Sequence, residues 1–336
     1  MVGGLTSGFC LATSHDMKYE PFVSVVIPVK AINEYIHEGL AYIRKLDYSN
    51  FEVLIFPDKD DGVTLPGARI IPTGNVGPAE KRDLAIKYAC GEILAFLDDD
   101  AFPRRDWLNK AVRHFKEPAV AAVGGPAITP ENDTTLQKAS GAVFASRLGG
   151  GNLTYRYVPE KLKEVDDYPS VNLFVRKNIF ESLGGFDTEF WPGEDTKLCL
   201  DITKKLGMKI IYDPEVVVWH HRRELFLPHM RQVLNYAVHR GYFVKHFPET
   251  SLRLNYFIPS IFVSGLVLGP VIGFWLPIAW YMYGGVLVFY GYAVMLEGLR
   301  TKELKLGVLT TVGIFVTHVV YGVGFMVGIF SRSLKR

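Results

Sequence analysis

The sequence contains few cysteines and carries little net charge. Its three cysteines, Cys10, Cys90 and Cys199, are spread through 336 residues. Because they are odd in number and far apart, they show no disulfide framework and no CxxC metal site, and they favour a reducing compartment. The formal net charge is only +2, with 49% hydrophobic and 21% charged residues. These values exclude a disordered chain and give no support to a basic nucleic-acid binder, so we expect no nucleic acid among its partners.

Charged residues are missing altogether from a long C-terminal stretch. Residues 256–296 hold no charged side chain over 41 positions. A single helix of that length would measure about 60 Å, roughly twice the thickness of a bilayer core, so the stretch must fold back on itself. We therefore expect a membrane domain at 256–330. Its hydrophobic segments are predicted at 256–273, 277–296 and 306–330, and a basic tail follows at 331–336.

The positive charges on either side of the third hydrophobic segment conflict with a simple topology. Three basic residues precede it in the loop 297–305, and three more follow it in the tail. The positive-inside rule places both groups on the cytoplasmic side, whereas one straight span would separate them. The segment is therefore either re-entrant or interfacial, or the tail is an exception to the rule. Gly324 and Gly328 have the GxxxG spacing of closely packed helices, and His318 has either a function there or a hydrogen bond to a neighbouring helix.

Upstream of the membrane domain, short apolar strands alternate with amphipathic stretches. This pattern is typical of an α/β domain with a mainly parallel sheet, which we place at 22–224. A basic, histidine-rich juxtamembrane segment at 225–255 is predicted to be helical. Residues 1–21 are predicted to be an N-terminal extension, which lacks the basic and apolar regions of a signal peptide. The stretch 126–170 has no interpretable pattern, and its Gly-rich part is expected to be a loop that orders on ligand binding.

Acidic residues end two of the predicted strands. The strand 51–58 ends in Asp58, and the strand 92–100 ends in Asp98, Asp99 and Asp100. Ligands of open α/β sheets bind at the carboxyl ends of the strands, so these carboxylates are expected at one edge. Alternate residues of a strand point the same way, which lets Asp98 and Asp100 converge while Asp99 faces away. The cluster is either a solvated acidic turn or a site for a divalent cation, and the apolar strand before it favours Mn²⁺ or Mg²⁺.

A second acidic pair opens a predicted helix. Glu194 and Asp195 follow Gly193 and precede an amphipathic stretch that runs to Lys205. Acidic residues at a helix N-terminus are favoured electrostatically, which is a sufficient structural role for Glu194. Asp195 is the better candidate for a general base that removes a proton from a hydroxyl group.

Histidine and arginine are concentrated just before the membrane domain. At a predicted strand end, His220 or His221 is expected to complete the metal site or to contact pyrophosphate, and His220 is our candidate metal ligand. His221, Arg222 and Arg223 are candidates for contacts to an acceptor or a lipid phosphate. Arg240 is a candidate clamp for a departing diphosphate. Most of the remaining basic residues need no role beyond the membrane interface.

Several motifs occur in the order found in one enzyme family. They are VSVVIPVK, the strand that ends in Asp58, GPAEKRDLA, GEILAFLDDD, SVNLFVRKNIFESLGGFD, GEDTKLCL and YDPEVVVWHH. Through these motifs, residues 22–245 resemble a family 2 glycosyltransferase with the GT-A fold. The C-terminal HVVYGVGFMVG at 318–328 is similar to the membrane-associated branch of that family, which makes exopolysaccharides and lipid-linked sugars.

The resemblance implies a reaction and the residues that perform it. A sugar would be transferred, with inversion, from a nucleotide-diphosphate donor, UDP before GDP, to an acceptor hydroxyl or phosphate. Asp195, together with Glu194, matches the ED motif of the catalytic base. Asp100 would hold Mn²⁺ or Mg²⁺, which neutralises the departing diphosphate.

The resemblance also implies a set of donor-binding residues. Asp58 matches the residue that contacts the nucleobase, and Asp98 would contact the ribose or the metal. The remaining members are assigned to the donor pocket or its diphosphate: Pro28, Lys81, Asp99 and Arg240.

A motif of the processive members of the family is missing. Where those members carry QxxRW, this sequence has Gln232 and, further on, Arg240-Gly241. We therefore expect a non-processive enzyme that adds one sugar to a membrane acceptor, in the first place a polyprenyl-linked one, at the cytoplasmic face of the cell (inner or plasma) membrane. The alternatives are a polyprenyl-phosphate sugar synthase, whose acceptor is the lipid phosphate, and a non-catalytic scaffold. A nucleotidyltransferase would have a Gly-rich phosphate loop after the first strand, and 29–39 is not one.

Overall fold

The structure is a computed structural model that describes residues 19–186, 190 and 193–334. Within these residues, an α/β domain is followed by three long apolar helices. Most of the predicted N-terminal extension and the last two residues of the basic tail lie outside the described residues.

The α/β domain contains one large and one small sheet. Its strands are β1 (Val23–Pro28), β2 (Phe51–Phe56), β3 (Arg69–Ile70), β4 (Ile93–Leu97), β5 (Ala101–Pro103), β6 (Val120–Gly124), β7 (Ala127–Ile128), β8 (Lys163–Val165), β9 (Asn172–Arg176), β10 (Lys209–Tyr212) and β11 (Val218–His220). Eight of them form a sheet with the order β3-β2-β1-β4-β9-β6-β10-β8, and the other three form a sheet with the order β5-β11-β7.

The large sheet is mainly parallel, as the sequence predicted, because six of its eight strands run in the same direction. Strand β1 is parallel to β2 and β4, and β2 is parallel to β3. Strand β9, however, is antiparallel to both of its neighbours, and β8 is antiparallel to β10. The reversed direction of β9 is not visible in the sequence, because both faces of that strand are covered, and a continuous apolar run is the same for either strand direction.

Strand β1 lies near the middle of the large sheet and is fully buried. Its alternate side chains pack into two apolar clusters, one on each side of the sheet. The polar Ser24 is accommodated because its hydroxyl donates to Glu52 at 2.7 Å and accepts the N–H of Gly91 at 2.9 Å. The apolar core therefore extends along both faces of the sheet up to the strand ends that carry the acidic residues.

The small sheet joins the C-terminal part of the domain to the acidic end of β4. Strand β11 pairs antiparallel with β5, which places His220 opposite Ala101. The backbone N–H of His221 donates to the carbonyl oxygen of Asp100 at 3.0 Å. This pairing brings two histidines from a distant part of the chain to the aspartates.

Ten α-helices precede the three long apolar helices within the described residues. They are α1 (Glu34–Ile43), α2 (Pro78–Asp83), α3 (Ala85–Tyr88), α4 (Trp107–Val112), α5 (Thr135–Ala145), α6 (Arg147–Gly150), α7 (Lys177–Leu183), α8 (Glu194–Leu200), α9 (Leu227–His246) and α10 (Pro248–Ser251). Helix α8 continues into a short π-helical segment, Asp201–Lys205.

The stretch 126–170 is not the loop that its composition suggested. It contains β7, α5, α6 and β8. Helix α5 begins with a capping box, in which the Thr134 hydroxyl accepts the N–H of Gln137 at 3.2 Å and the Gln137 side chain accepts the N–H of Thr134 at 3.0 Å. The S/T-x-x-Q spacing of these two residues is a helix-start signal that the sequence analysis overlooked.

Three apolar helices follow the domain: α11 (Leu254–Trp275), α12 (Ile278–Leu299) and α13 (Leu304–Phe330). Each is long and apolar enough to cross a membrane. Helices α11 and α12 are separated by Leu276 and Pro277 and pack against each other as a hairpin. The gap between the first two predicted segments, 274–276, overlaps this turn.

The glycines and the histidine of α13 make contacts within the chain. A Cβ atom on Gly328 would overlap the carbonyl oxygen of Val238 in α9, so the predicted close packing joins α13 to the α/β domain. The Nδ1 atom of His318 lies 2.8 Å from the Tyr290 hydroxyl in α12, and its Nε2 atom lies 2.8 Å from the carbonyl oxygen of Leu148. Of the two roles considered for His318, the structure contains the hydrogen bond to a neighbouring helix.

Candidate active site

The acidic strand ends meet at one edge of the large sheet. Asp58 follows β2 and Asp98–Asp100 follow β4, and these strands lie on either side of β1. Because the three strands are parallel, their carboxyl ends point to the same edge. The structure therefore brings together the carboxylates that the sequence places at strand ends.

Asp98, Asp100 and His220 form the candidate metal centre. One carboxylate oxygen of each aspartate and one ring nitrogen of His220 lie within 4.8 Å of one another. The Nε2 atom of His220 is 3.0 Å from Oδ1 of Asp100. Carboxylates suit Mg²⁺ and Mn²⁺, while imidazole suits transition metals, so this donor set fits Mn²⁺ well. All three residues are half-buried and remain open to a ligand from solvent.

Arg222 orients His220. It donates through Nη1 to Nδ1 of His220 at 2.8 Å, through Nε to the Thr129 hydroxyl at 3.2 Å, and through Nη2 to the carbonyl oxygen of Ala127. The guanidinium is buried, which lowers the pKa of Arg222. The guanidinium of Arg222 therefore faces the candidate metal centre from inside the domain, and it points away from the predicted contact with a lipid phosphate. The sequence shows its charge but not the inward turn of the chain after β11.

His221 also faces the interior. Its Nδ1 atom is hydrogen-bonded to Asp133, and its Nε2 atom lies 2.8 Å from Oε2 of Glu38. Burial alone would lower the pKa of His221, but the two carboxylates raise it. With both ring nitrogens engaged, His221 holds α1 against the segment before α5, and it is not placed for the predicted phosphate contact. Arg223 is exposed and remains a candidate for that contact.

The adjacent aspartates differ in their electrostatic environment. Burial would raise the pKa of Asp100, but His220 and Arg223 lower it. Burial and the charge of Asp100 raise the pKa of Asp99 to about 6, even though the Asn33 side chain donates to Asp99 at 3.0 Å. Asp99 thus faces α1, whose N-cap is Asn33. Its assignment to the donor pocket stays a prediction.

Lys81 and Asp58 form an ion pair beside the end of β1. Nζ of Lys81 contacts Oδ1 of Asp58 and donates to the carbonyl oxygen of Val29 at 2.5 Å. The two side chains are only 4% and 13% exposed. Pro28 is buried next to them as the last residue of β1. Lys81 therefore fixes the carboxylate of Asp58 at the strand end, where a donor nucleotide is expected.

Arg82 connects the candidate metal centre to the start of α8. Its Nη2 atom donates to Oδ1 of Asp98 at 2.6 Å, and its Nη1 atom lies 3.5 Å from Oε1 of Glu194. The other carboxylate oxygen of Glu194 accepts the N–H of Gly193 at 2.8 Å. Burial raises the pKa of Glu194 despite the nearby guanidinium. Arg82 therefore holds Glu194 in a fixed position relative to Asp98. The sequence signal for Arg82 was its place in the motif GPAEKRDLA.

Asp195 lies in the first turn of α8, beside Glu194. Its Oδ1 atom accepts the N–H of Thr196 at 2.8 Å. Burial, together with the carboxylates of Glu194 and Asp167, raises the pKa of Asp195 to about 7. A carboxylate with a pKa near the working pH is well matched to taking up and releasing a proton. The environment of Asp195 therefore fits a general base.

Asp167 and two arginines support this part of α8, and the sequence analysis did not identify them as a group. Oδ2 of Asp167 is 2.9 Å from Arg240 and 3.4 Å from Arg156, and its Oδ1 accepts the Thr196 hydroxyl at 3.1 Å. Burial would raise the pKa of Asp167, but Arg240 and Arg156 lower it to about 2. Arg240, predicted to clamp a diphosphate, is instead part of a buried ion pair behind Asp195. A carboxylate in a polar stretch gives no local sequence signal for such a role.

Comparison with known sequences agrees with the motifs. Residues 24–184 match the family described as glycosyl transferase family 2. The pre-mycofactocin glycosyltransferase of Mycobacterium tuberculosis is 32% identical over 150 residues, which cover 44% of this chain and 31% of that protein. Glycosyltransferase AglE of Haloferax volcanii is 28% identical over 219 residues, which cover 60% of this chain and 68% of that protein. The chain thus spans about a third of the first relative and two thirds of the second.

A solved structure shares the fold over most of the chain. The mannosyltransferase PcManGT from Pyrobaculum calidifontis, in complex with GDP-Man and Mn²⁺, has a TM-score of 0.55 at 20% sequence identity. The match covers 90% of this chain and 88% of that chain. This likeness identifies the α/β domain as a GT-A fold. The family match and the ordered motifs point the same way: residues 24–184 of this chain are similar to glycosyl transferase family 2.

Proposed function

We propose that this chain is an inverting, metal-dependent glycosyltransferase that moves one sugar from a nucleotide-diphosphate donor to a membrane-held acceptor. The observation that carries the proposal is the connection between the candidate metal centre and the candidate base Asp195. Arg82 contacts Asp98 on one side and Glu194 on the other. Arg82 can therefore transmit a change in the charge or position of the donor diphosphate to the side chain beside the candidate base. A non-catalytic scaffold would not need this connection.

The donor is proposed to bind with its diphosphate at Asp98, Asp100 and His220. When bound there, a divalent cation supplies positive charge to the departing diphosphate. Mn²⁺ suits the donor set, and the mannosyltransferase with the same fold was solved with GDP-Man and Mn²⁺. Asp58, fixed by Lys81, would contact the nucleobase at the neighbouring strand end. We expect UDP or GDP as the nucleotide.

Asp195 is proposed to take the proton of an acceptor hydroxyl as the hydroxyl oxygen attacks the anomeric carbon. The bond from that carbon to the diphosphate oxygen breaks on the opposite face, so the configuration inverts. A pKa of about 7 leaves a large share of Asp195 ionised at neutral pH, as this step requires. A lipid phosphate that attacks directly would need no such base, so the environment of Asp195 favours a hydroxyl acceptor over the sugar-synthase alternative.

The acceptor is proposed to be lipid-linked and to be used at the cytoplasmic face. Three helices long and apolar enough to cross a membrane follow the domain, and a soluble acceptor would give them no purpose. Arg240 of α9 is bound to Asp167 next to α8, so the base is supported by an element that borders those helices. The missing QxxRW motif supports the addition of a single sugar.

The first experiment measures thermal stabilisation of the purified full-length chain by UDP, GDP, CDP and dTDP, each with and without Mn²⁺. A nucleotide at 100 times its Kd should add about 2.7 kcal/mol of stability. We expect one nucleotide to raise Tm only with Mn²⁺, and Asp100→Asn to abolish that shift. Asp61→Asn, a change at an exposed aspartate after β2, is the matched control and should retain it. A shift that is independent of Mn²⁺, or no shift with any nucleotide, would contradict the proposal.

The second experiment tests the acceptor once the donor is known. Turnover of the matching sugar nucleotide is compared between membrane lipid extracts and a lipid-free acceptor analogue, and equal turnover would argue against a lipid-linked acceptor. Asp195→Asn should lower turnover by about 10²–10⁴-fold if a hydroxyl is the acceptor. A mild loss in that variant would instead indicate the lipid phosphate.

A further inference from the structure

The middle of α13 touches the α/β domain. Ile314 belongs to an apolar cluster that also contains Val143 of α5 and Leu225, just before α9. The ring of His318 lies 2.8 Å from the carbonyl oxygen of Leu148 in α6. If α13 crossed the bilayer, these contacts would lie near the centre of the hydrocarbon, where a polar α/β domain cannot follow.

Helix α9 runs beside the second half of α13 in the same direction. The His229 ring lies 2.9 Å from the Thr317 hydroxyl, and Nζ of Lys245 donates to the carbonyl oxygen of Ser331 at 2.7 Å. Along α9, the exposed Arg231 lies close to the first contact, and the exposed Lys245 makes the second. Charged side chains are costly in hydrocarbon. Because α9 packs along the second half of α13, that half cannot lie deeper in the bilayer than the charged side chains of α9 allow.

The contacts of α13 with the α11–α12 hairpin lie in the half nearest the α/β domain. In α12, Tyr290 contacts His318 at 2.8 Å. In α11, the Ser260 hydroxyl donates to the carbonyl oxygen of Gly322 at 2.9 Å. Ser260 is only six residues from the start of α11, so α13 returns toward the open end of the hairpin instead of following it to the tip.

The hairpin itself has the dimensions and surface of two membrane spans. Helices α11 and α12 have 22 residues each, or about 33 Å, close to the thickness of a bilayer core. At the tip, Phe274, Trp275 and Tyr281 are 78%, 79% and 80% exposed. Exposed aromatic residues at the end of a span are typical of the membrane interface.

Helix α13 presents one apolar stripe outward and small residues inward. The exposed members of the stripe are Leu304, Val308, Val312, Phe315, Val323, Val327 and Phe330. The buried side is rich in glycine and threonine: Gly307, Thr310, Gly313, Thr317, Gly322, Gly324 and Gly328. A single apolar face beside a polar domain suits a helix that lies in the membrane interface.

We infer that α13 lies along the membrane surface and seats the α/β domain there, and that, of the described helices, α11 and α12 alone cross the bilayer. The apolar stripe of α13 is the surface that contacts lipid. The basic residues before α13 and those after it then lie on the same side, as the positive-inside rule requires. This arrangement removes the conflict in the sequence, and it does not depend on the transferase chemistry.

Topology mapping in sealed membrane vesicles tests the inference on the full-length chain. In a background with Cys10→Ser, the exposed Cys90 reports the side of the α/β domain to a membrane-impermeant maleimide, while Cys199 is buried. Each further variant carries Cys10→Ser and Cys90→Ser together with one introduced cysteine. The three introduced cysteines are Lys305→Cys, Ser333→Cys and Leu276→Cys. We expect positions 305 and 333 to label from the same side as Cys90, and position 276 from the other side. Labelling of position 333 from the side opposite to 305, or of 276 from the side of Cys90, would overturn the inference.

A depth measurement separates an in-plane helix from a re-entrant one. Spin labels at Val308, Val323 and Val327 should have similar, shallow depths in lipid vesicles, whereas a label at Val288 in α12 should be deep. These four side chains are exposed, so the labels should leave the fold intact. A Val323 label as deep as the Val288 label would overturn the inference.

Discussion

The close contact between α9 and α13 can be tested by adding one methyl group to α9, in the variant Gly241→Ala. Gly241 in α9 is buried against α13, and a Cβ atom there would overlap the carbonyl oxygen of Phe325 and lie 3.0 Å from the nitrogen of Ile329. Overpacking of this kind costs about 1–3 kcal/mol. Replacing a helical glycine by alanine by itself gains up to about 1 kcal/mol through helix propensity. The net effect of Gly241→Ala is therefore expected to lie between neutral and a loss of about 3 kcal/mol.

The matched control is Gly284→Ala in α12. That glycine has no atom within 4 Å of the added Cβ, so the variant should show the propensity gain without the clash. The two variants should then differ by about 1–3 kcal/mol, and Gly241→Ala should unfold several degrees lower. The assay is thermal unfolding of both proteins in the same detergent, followed by tryptophan fluorescence. Equal Tm values for the two variants would refute the close approach of α9 and α13.

Three further predictions concern the candidate active site. Turnover should rise with pH through about 7, because Asp195 can accept a proton only after its own carboxyl group has ionised; a flat profile between about pH 6 and pH 8 would contradict this. Arg222→Met should weaken Mn²⁺ binding by about 10–100-fold, because the ring of His220 loses the group that orients it. A Mn²⁺ titration of the nucleotide-dependent Tm shift measures this change, and an unchanged midpoint would exclude the role. Lys81→Met should destabilise the chain by about 1–3 kcal/mol, because it leaves the part-buried carboxylate of Asp58 without its partner. Adding Asp58→Asn should restore part of that loss in denaturant unfolding, and no recovery would count against the pairing.

The sequence predicted the site best where a residue type is tied to one place in the fold. A buried apolar run followed abruptly by Asp98 and Asp100 has to end at the edge of the sheet, because the charges cannot continue into the core. The same reasoning placed Asp58 on that edge, next to β1. Glu194 and Asp195 were recognisable because acidic residues mark the first turn of a helix.

The sequence was less informative where a role depends on a partner from elsewhere in the chain. Arg222, Arg240 and His221 were predicted to contact phosphate groups, because their charge is visible in the sequence while their partners in the fold are not. Asp167 is one of these partners, and nothing near it marks the arginines that surround it. The antiparallel direction of β9 was hidden for a related reason, since burial on both faces erases the directional pattern.

The packing of α13 against α5 and α9 also bears on how the chain is made. The ribosome releases α9 before the hairpin and α13 only after it, so the surface of the domain around Val143 and Leu225 stays open during that interval. Helix α9 in turn carries Arg240, which supports Asp167 beside the candidate base Asp195. These residues all precede the hairpin, so they can assemble before α13 is made, whereas the apolar surface that α13 covers has to wait for it. The last packing step of the α/β domain is therefore the docking of α13.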